Sequence, residues 1–431
     1  MIQNALYHKI NMADKFIING NKELKGEIEV LGSKNAAGPT LAAVLLTDEE
    51  CVIDNLPLIE DIKNTIEILR SLGAKVEWLG ERKVKIKADT VTPESMDFEK
   101  FSKARMSVLL VGSLVARFNS FTFPSPGGDR IGLRPIHVHL KALEKLGANI
   151  KKDGDIYSVE KKALLGCEIV LQEFSVTATE VIMMASVLSK GITVIKGAAA
   201  EPHVEDLGKL LLKMGAKIKG HGTHTIEILG VEKLHGFQHN IIPDYLEAGT
   251  FIIIGAITLG TVTVKNVNFN DLDIFLAKLE DMGVNFERGE NKVIVHYSPD
   301  LSALKIQALP HPGFPTDLLP IITTILTKAK GKSLIHDPLY ENRLAYIQEL
   351  RKMGADIEIV DPHRAFVFGP NALQGLSIDS SDIRAGMSLI IAGLMAEGQT
   401  TIHNIFQIDR GYEKIEERLK KIGADIKRIS D

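Results

Sequence analysis

The chain has 431 residues, is 45% hydrophobic and 25% charged, and carries a net charge of −4 with a pI near 6.4. That balance is ordinary for a globular protein and leaves room for two or three domains. It excludes a globally basic nucleic-acid binder, so any anion site must be a local cluster of cations. Apolar runs such as 106–116 and 387–396 fall short of the ~20 residues that span a bilayer, and read as buried helices. The opening residues, MIQNALYHKINMADK, lack the apolar stretch of a secretory signal. Residues 1–12 read as a loose extension, with Met12 as an alternative start.

Strands are expected across 16–30, and then one phrase recurs six times: LRSLGAKVEW, LEKLGANIKK, LLKMGAKIKG, LEDMGVNFER, LRKMGADIEI and LKKIGADIKR. Its glycines, Gly73, Gly147, Gly215, Gly283, Gly354 and Gly423, stand 68 to 74 residues apart, which marks a repeat architecture. Each glycine follows a helical apolar pattern and suits a left-handed C-cap. The alternation behind it, as in Lys75-Val76-Glu77-Trp78, suits a strand with one buried face. A second phrase (SVLSKGITVI, AITLGTVTVK, TKAKGKSLIH, LMAEGQTTIH) reads as an apolar helix, a break and a strand. A helix without a polar face belongs in an interior. The expected fold is therefore α/β: two inside-out, barrel-like domains, each of three ~70-residue repeats with interior helices and external sheets. The boundaries are placed at 34–243 for the first domain and at 13–33 plus 244–431 for the second. A TIM barrel, with eight shorter units, fits this period poorly.

Candidate site residues follow in chain order. Lys34 and Asn35 lie at a predicted helix start, and Arg105 precedes an apolar helix, where a cation is unfavourable unless something anionic offsets it. The loop Pro-Gly-Gly-Asp-Arg-Ile-Gly-Leu-Arg-Pro, 126–135, sets Asp129 among three glycines, Arg130 and Arg134. Glycine lets a backbone approach a ligand, and arginine forks onto phosphate or carboxylate. This loop therefore reads as an anion site with an acid/base carboxylate. His137 and His139 follow it. Asp317 comes after Pro312 and Pro315, in a stiffened loop; it also reads as an N-cap for the apolar segment behind it, a role Thr316 can fill instead. Asp382, Arg384 and Arg410 are the remaining charged candidates, with Asp382 paired either to Arg384 or to a substrate. Cys51 and Cys167 read as reduced core thiols of a cytoplasmic protein, without a disulfide or metal site.

Several phrases in order, among them GSKNAAGPTLAA, PGGDRIGLRPIHVHL, SVTATEVIMMA, HPGFPTDLLP, DIRAGMSLIIAGLMAEG and IDRGYEKIEERLKKIGA, carry a resemblance. Over about residues 14–428 the chain resembles the enolpyruvyl transferase superfamily, in its branch acting on UDP-N-acetylglucosamine. The resemblance implies phosphoenolpyruvate and UDP-N-acetylglucosamine as substrates of a monomeric enzyme of peptidoglycan precursor synthesis, with no metal, cofactor, nucleic-acid or membrane partner. It implies that Lys34, Arg134 and Arg410 hold the phosphoenolpyruvate anions, with Arg343 and Arg384 close by and Arg105 on the substrate side. It assigns Asp317 as the base for the sugar hydroxyl. Asn35, Pro135, Ile136, His137, Val138, Ser175, Val176 and Asp382 fall on its substrate-contacting positions. Most members carry cysteine where this chain has Asp129, as proton donor to C3 of phosphoenolpyruvate and as the thiol that fosfomycin alkylates. The chain departs from the pattern at His137, Glu173 and Tyr245, where acidic, basic and arginine residues are common. Those departures keep two alternatives open: another acceptor (a different UDP-sugar, a nucleotide or shikimate 3-phosphate) and a catalytically silent binding homologue.

Overall fold

All six repeated glycines take the left-handed backbone, with φ of 97°, 109°, 96°, 90°, 98° and 104° in chain order. A Cβ strains that conformation, so glycine is selected there. At Gly73 the glycine N–H donates to the Arg70 carbonyl, and the next N–H, of Ala74, donates to the Leu69 carbonyl. This pair of bonds stops the helix and satisfies its last carbonyls. The same pair recurs at Gly215, Gly283, Gly354 and Gly423, and Gly147 N–H donates to the Glu144 carbonyl. The following residues, Ala74, Ala148, Ala216, Val284, Ala355 and Ala424, are all buried and start the next strand on its core face.

The computed structural model describes residues 14–129 and 131–430. The expected extension 1–12, with Met12, lies outside the described residues, as do residue 13, Arg130 and Asp431. The chain divides into two units. One comprises Gly32–Asp129 and Arg134–Ile242; the other comprises the described residues of 14–31, 131–133 and 243–430.

The first unit holds three inner helices, Lys34–Ala43, Val108–Arg117 and Val176–Ser186, and three outer ones, Glu60–Ser71, His137–Lys145 and Pro202–Lys213. Two of its sheets have four strands, each with one short strand added in parallel: Gln238–Asn240 beside Glu50–Asp54, and Glu168–Val170 beside Ile192–Lys196. The third sheet has three strands, Ser120–Pro124, Ile156–Lys161 and Ala148–Asp153. The segment that would supply its fourth forms a 3-10 turn, Pro93–Ser95, instead. This shorter sheet is the one whose first strand runs into the loop of Asp129.

The second unit repeats the plan with inner helices Tyr245–Ile257, Leu319–Leu326 and Ile383–Met395, and outer helices Asp273–Met282, Ile347–Lys352 and Ile415–Lys421. Its N-terminal segment completes two sheets. Strand Lys15–Asn19 lies antiparallel between Gln399–His403 and Asp425–Ile429, with Phe16 and Ile18 facing the core. Strand Leu24–Glu29 then runs parallel to Gly260–Lys265. The sixth repeat therefore takes its last strand from the start of the chain.

Every residue of Ile383–Met395 is buried, as an inner helix requires. Hydroxyls survive inside such helices because they bond back to the preceding turn, Thr250 to the Leu246 carbonyl and Thr323 to the Leu319 carbonyl.

Gly354→Ala is expected to destabilise the protein by about 1–2 kcal/mol in urea unfolding. Gly80→Ala serves as the control: its Cβ would meet nothing closer than 3.8 Å, and it is expected to stay within about 0.5 kcal/mol of the parent.

Candidate active site

In the first unit, Ser33 caps the helix Lys34–Ala43 by accepting from Ala36 N–H (3.3 Å), which makes Lys34 its first residue. The Lys34 ammonium opposes the helix dipole there. Asp61 offsets it, with Oδ2 2.8 Å from Lys34 Nζ and both side chains largely buried. Asp61 escapes notice in the sequence because it looks like an ordinary first-turn acid of Glu60–Ser71. Asn35 follows Lys34 in the same first turn.

Arg105 opens the 3-10 turn that leads into Val108–Arg117. Its guanidinium donates to the carbonyls of Arg134 and Pro135, the second at 3.2 Å. Two carbonyls thus supply the negative density that the sequence demanded beside this cation, and they tie down the exit of the Asp129 loop. Gly128, with φ of 123°, is packed so closely that an added Cβ would lie 2.8 Å from Arg105 Cβ and 3.4 Å from Arg134 Nη1. The residue before Asp129 must therefore be glycine, and Asp129 sits half-buried one step beyond two arginines. Arg130 lies outside the described residues.

Pro135 and His137 are exposed, whereas Ile136 and Val138 are buried, so these two face the core. His139 is also buried, its Nε2 2.8 Å from Thr177 Oγ1. Burial first, and the charge of Arg105 next, push its imidazole down to about 3, so it is neutral at pH 7. The two histidines are therefore unlike: His139 is an internal fastener, and only His137 is open to solvent. Ser175 caps the helix Val176–Ser186 by accepting from Ala178 N–H (3.3 Å), leaving Val176 as its first residue. Glu173 and Phe174 are exposed just before it, and the Phe174 ring meets His224 edge-on.

The second unit holds a denser cluster. Asp317 receives Arg343 Nη2 on Oδ1 at 2.6 Å and Arg384 Nε on Oδ2 at 3.2 Å. Burial alone would raise this carboxyl, but the two guanidiniums hold it well below the usual carboxylate range. Asp317 does not act as a helix cap: the residue before Leu319–Leu326 is Leu318, which makes no side-chain cap bond. Thr316 does not cap either; its hydroxyl donates to Asp337 Oδ2 (2.5 Å) and accepts from Arg343 Nε (3.1 Å).

Arg384 also donates from Nη1 to the Tyr412 hydroxyl (2.9 Å), which is 2.9 Å from Thr250 Oγ1. Asp382 caps the helix Ile383–Met395, its Oδ1 accepting from the backbone N–H groups of Arg384 and Ala385. Asp382 thus reaches the backbone of Arg384 as a helix cap. Tyr245 is buried as the first residue of its helix, behind the capping Asp244. Arg410, nearly buried, donates to Gln407 Oε1 (2.8 Å), and Arg428 grips the neighbouring Asp409 with two bonds of 2.9 and 2.6 Å. Asp337, Thr250 and Arg428 were not legible as site residues; their partners Thr316, Tyr412 and Asp409 stand 21, 162 and 19 residues away in sequence.

Neither thiol is activated. Cys51 is fully buried and pushed up to about 12, while Cys167 is half-buried rather than in the core, and burial raises it too. Among the described residues, no helix is long and apolar enough to cross a membrane.

The family model for EPSP synthase (3-phosphoshikimate 1-carboxyvinyltransferase) matches residues 18–419. The UDP-N-acetylglucosamine 1-carboxyvinyltransferase of Koribacter versatilis is 44% identical, over 97% of each chain. That of Halothermothrix orenii is also 44% identical, over 96% of this chain and 99% of its own. Among solved structures, the enolpyruvyl transferase NikO from Streptomyces tendae superposes with a TM-score of 0.89 at 23% identity, over 97% of this chain and 99% of that one; at that identity the likeness is one of fold.

The lowered Asp317 carboxyl has a consequence for stability. Ionised Asp317 stabilises the fold above the ordinary carboxylate range, and the contribution is lost as pH falls through its lowered value. Asp317→Asn should unfold at lower urea than the parent at pH 7, with the gap narrowing below about pH 4.

Proposed function

The chain belongs to the enolpyruvyl transferase family, and from that premise we propose that it transfers the enolpyruvyl group of phosphoenolpyruvate to the 3-hydroxyl of UDP-N-acetylglucosamine. The observation that carries this reading is identity of 41–44% over nearly the full length to relatives named for that activity. In such a cell-wall precursor pathway the enzyme works in the cytoplasm, as a monomer.

The roles of the candidate residues follow from the family resemblance. Lys34, Arg134 and Arg410 hold the phosphate and carboxylate of phosphoenolpyruvate, preorganised as cations so that charge is met without rearrangement. Arg105 shapes the loop that presents Arg134. Asp317 takes the proton of the sugar hydroxyl while that oxygen bonds to C2. Asp129 delivers a proton to C3, giving a tetrahedral ketal. C3 then returns a proton, the C2–O bond to phosphate breaks, and an enol ether and inorganic phosphate leave. A carboxyl group donates near neutral pH where desolvation or nearby negative charge keeps it protonated; the two anionic groups of phosphoenolpyruvate supply such charge. Asn35, the backbone of 135–138, and the helix start at Ser175 and Val176 receive the nucleotide, with exposed His137 near its phosphates. Helix N-termini suit such anions.

Exposed Glu173 and His137 favour testing other acceptors as well. Phosphate release from phosphoenolpyruvate should appear with UDP-N-acetylglucosamine and not with shikimate 3-phosphate. Release with neither, nor with any UDP-sugar, would mark a silent homologue. Asp129→Asn should lower kcat by about 100-fold or more, the range for lost general acid catalysis; full turnover would remove Asp129 from the mechanism.

The absence of a thiol from residues 126–135 supports resistance to fosfomycin. The parent should keep its activity after prolonged incubation with the drug, and Asp129→Cys should lose activity progressively. Irreversible inactivation of the parent would contradict this reading.

A further inference from the structure

A carboxylate gripped by two arginines is a poor base, yet the proposed reaction asks Asp317 to accept a proton. The two grips are unequal. Arg343 contacts Oδ1 at 2.6 Å and is fixed from behind. Its Nε donates to Thr316 and lies 3.8 Å from Asp337 Oδ2. Asp337 is fully buried and is itself fixed by the Leu339 and Tyr340 N–H groups and by the Thr316 hydroxyl. Moving Arg343 would strand a buried carboxylate, which is costly.

Arg384 contacts Oδ2 at 3.2 Å, a weaker bond, and its other end rests on Tyr412, a neutral hydroxyl shared with Thr250. Tyr412 lies two residues past Arg410, a proposed anion ligand. The charged and titratable groups around the pair are Asp337, Asp382 and Tyr340 facing Arg343, and Asp244 and Tyr412 facing Arg384. Tyr346 stands behind them, bonded to Thr323. The side chains bonded to Arg384 are Asp317, at 3.2 Å, and the neutral Tyr412.

We infer that Arg384 is a shared cation: in the free protein it rests on Asp317, and an anionic substrate takes it over, freeing the carboxylate to act as base. Tyr412 is the pivot, a positioning residue that keeps Arg384 within reach of both. This rests on the proposed function for the identity of the anion and of the base. A phosphate dianion carries twice the charge of a carboxylate and wins the competition at equal distance. The sugar hydroxyl is then deprotonated only when phosphoenolpyruvate is in place to accept it.

The test uses full-length protein labelled with nitrogen-15 in arginine, with inorganic phosphate as the probe. The Nε–H resonance of Arg384, identified by its loss in Arg384→Lys, should move on adding phosphate toward its position in Asp317→Asn. The Arg343 Nε–H resonance should stay in place. An Arg384 resonance that does not move at any phosphate concentration overturns the inference, as do equal movements of both arginines. Should Arg384→Lys fold poorly, Tyr412→Phe supplies the assignment instead, because losing that hydroxyl perturbs the Arg384 resonance and not that of Arg343. Turnover with UDP-N-acetylglucosamine is measured on the same sample: turnover without the shift defeats the inference alone, and the shift without turnover on any acceptor defeats the functional reading alone.

Discussion

A left-handed residue at the end of each outer helix is the constraint on which this architecture rests. The helix must stop, turn and release the chain as a strand within two residues, and it must leave no carbonyl stranded. Glycine with φ near 100° does this six times, with the next residue turned into the core. The spacing of these stops makes each repeat the same length. That in turn brings each inner helix to an equivalent place in its unit, and the loops that carry Lys34, Arg105, Asp317 and Arg384 lie at the starts of inner helices or the turns before them.

The recurrence of those glycines made the fold readable from the chain alone, and the lack of a polar face on segments such as Ile383–Met395 placed the helices inside. Two features were hidden. The three-stranded sheet is one: Pro93–Ser95 form a 3-10 turn in the stretch where the unit's other sheets add an edge strand. The grouping of 13–33 with the last repeats is expected from the sequence, but the pairing of strand Lys15–Asn19 is not: it joins residues some 400 apart, with Phe16 opposite Ile402. Alternation of apolar residues gives such a strand its face but not its partner.

The site was legible in its residue types and less so in their connections. Charged residues in glycine- or proline-bearing loops stand out, and Lys34, Asp129, Asp317, Arg384 and Arg410 did. What each one bonds to did not. Asp382 reads as an ion-pair partner and also caps a helix; Asp317 reads equally as a cap and is an ion-pair partner. Helix caps and ion pairs use the same side chains, and only the fold decides between them. His139 and His137 look alike in sequence, yet burial makes one neutral and internal. Partners such as Asp61, Asp337 and Tyr412 carry their meaning in burial, which a single sequence does not display.

The central claim is that an acid and a base in this chain carry out addition and then elimination at phosphoenolpyruvate. The most direct measurement is mass spectrometry of the product formed in deuterium oxide from phosphoenolpyruvate and UDP-N-acetylglucosamine. Protonation of C3 makes a methyl group that loses either hydrogen or deuterium on elimination, so the account predicts deuterium in the vinyl methylene of the product. An enolpyruvyl product with no deuterium there would contradict it.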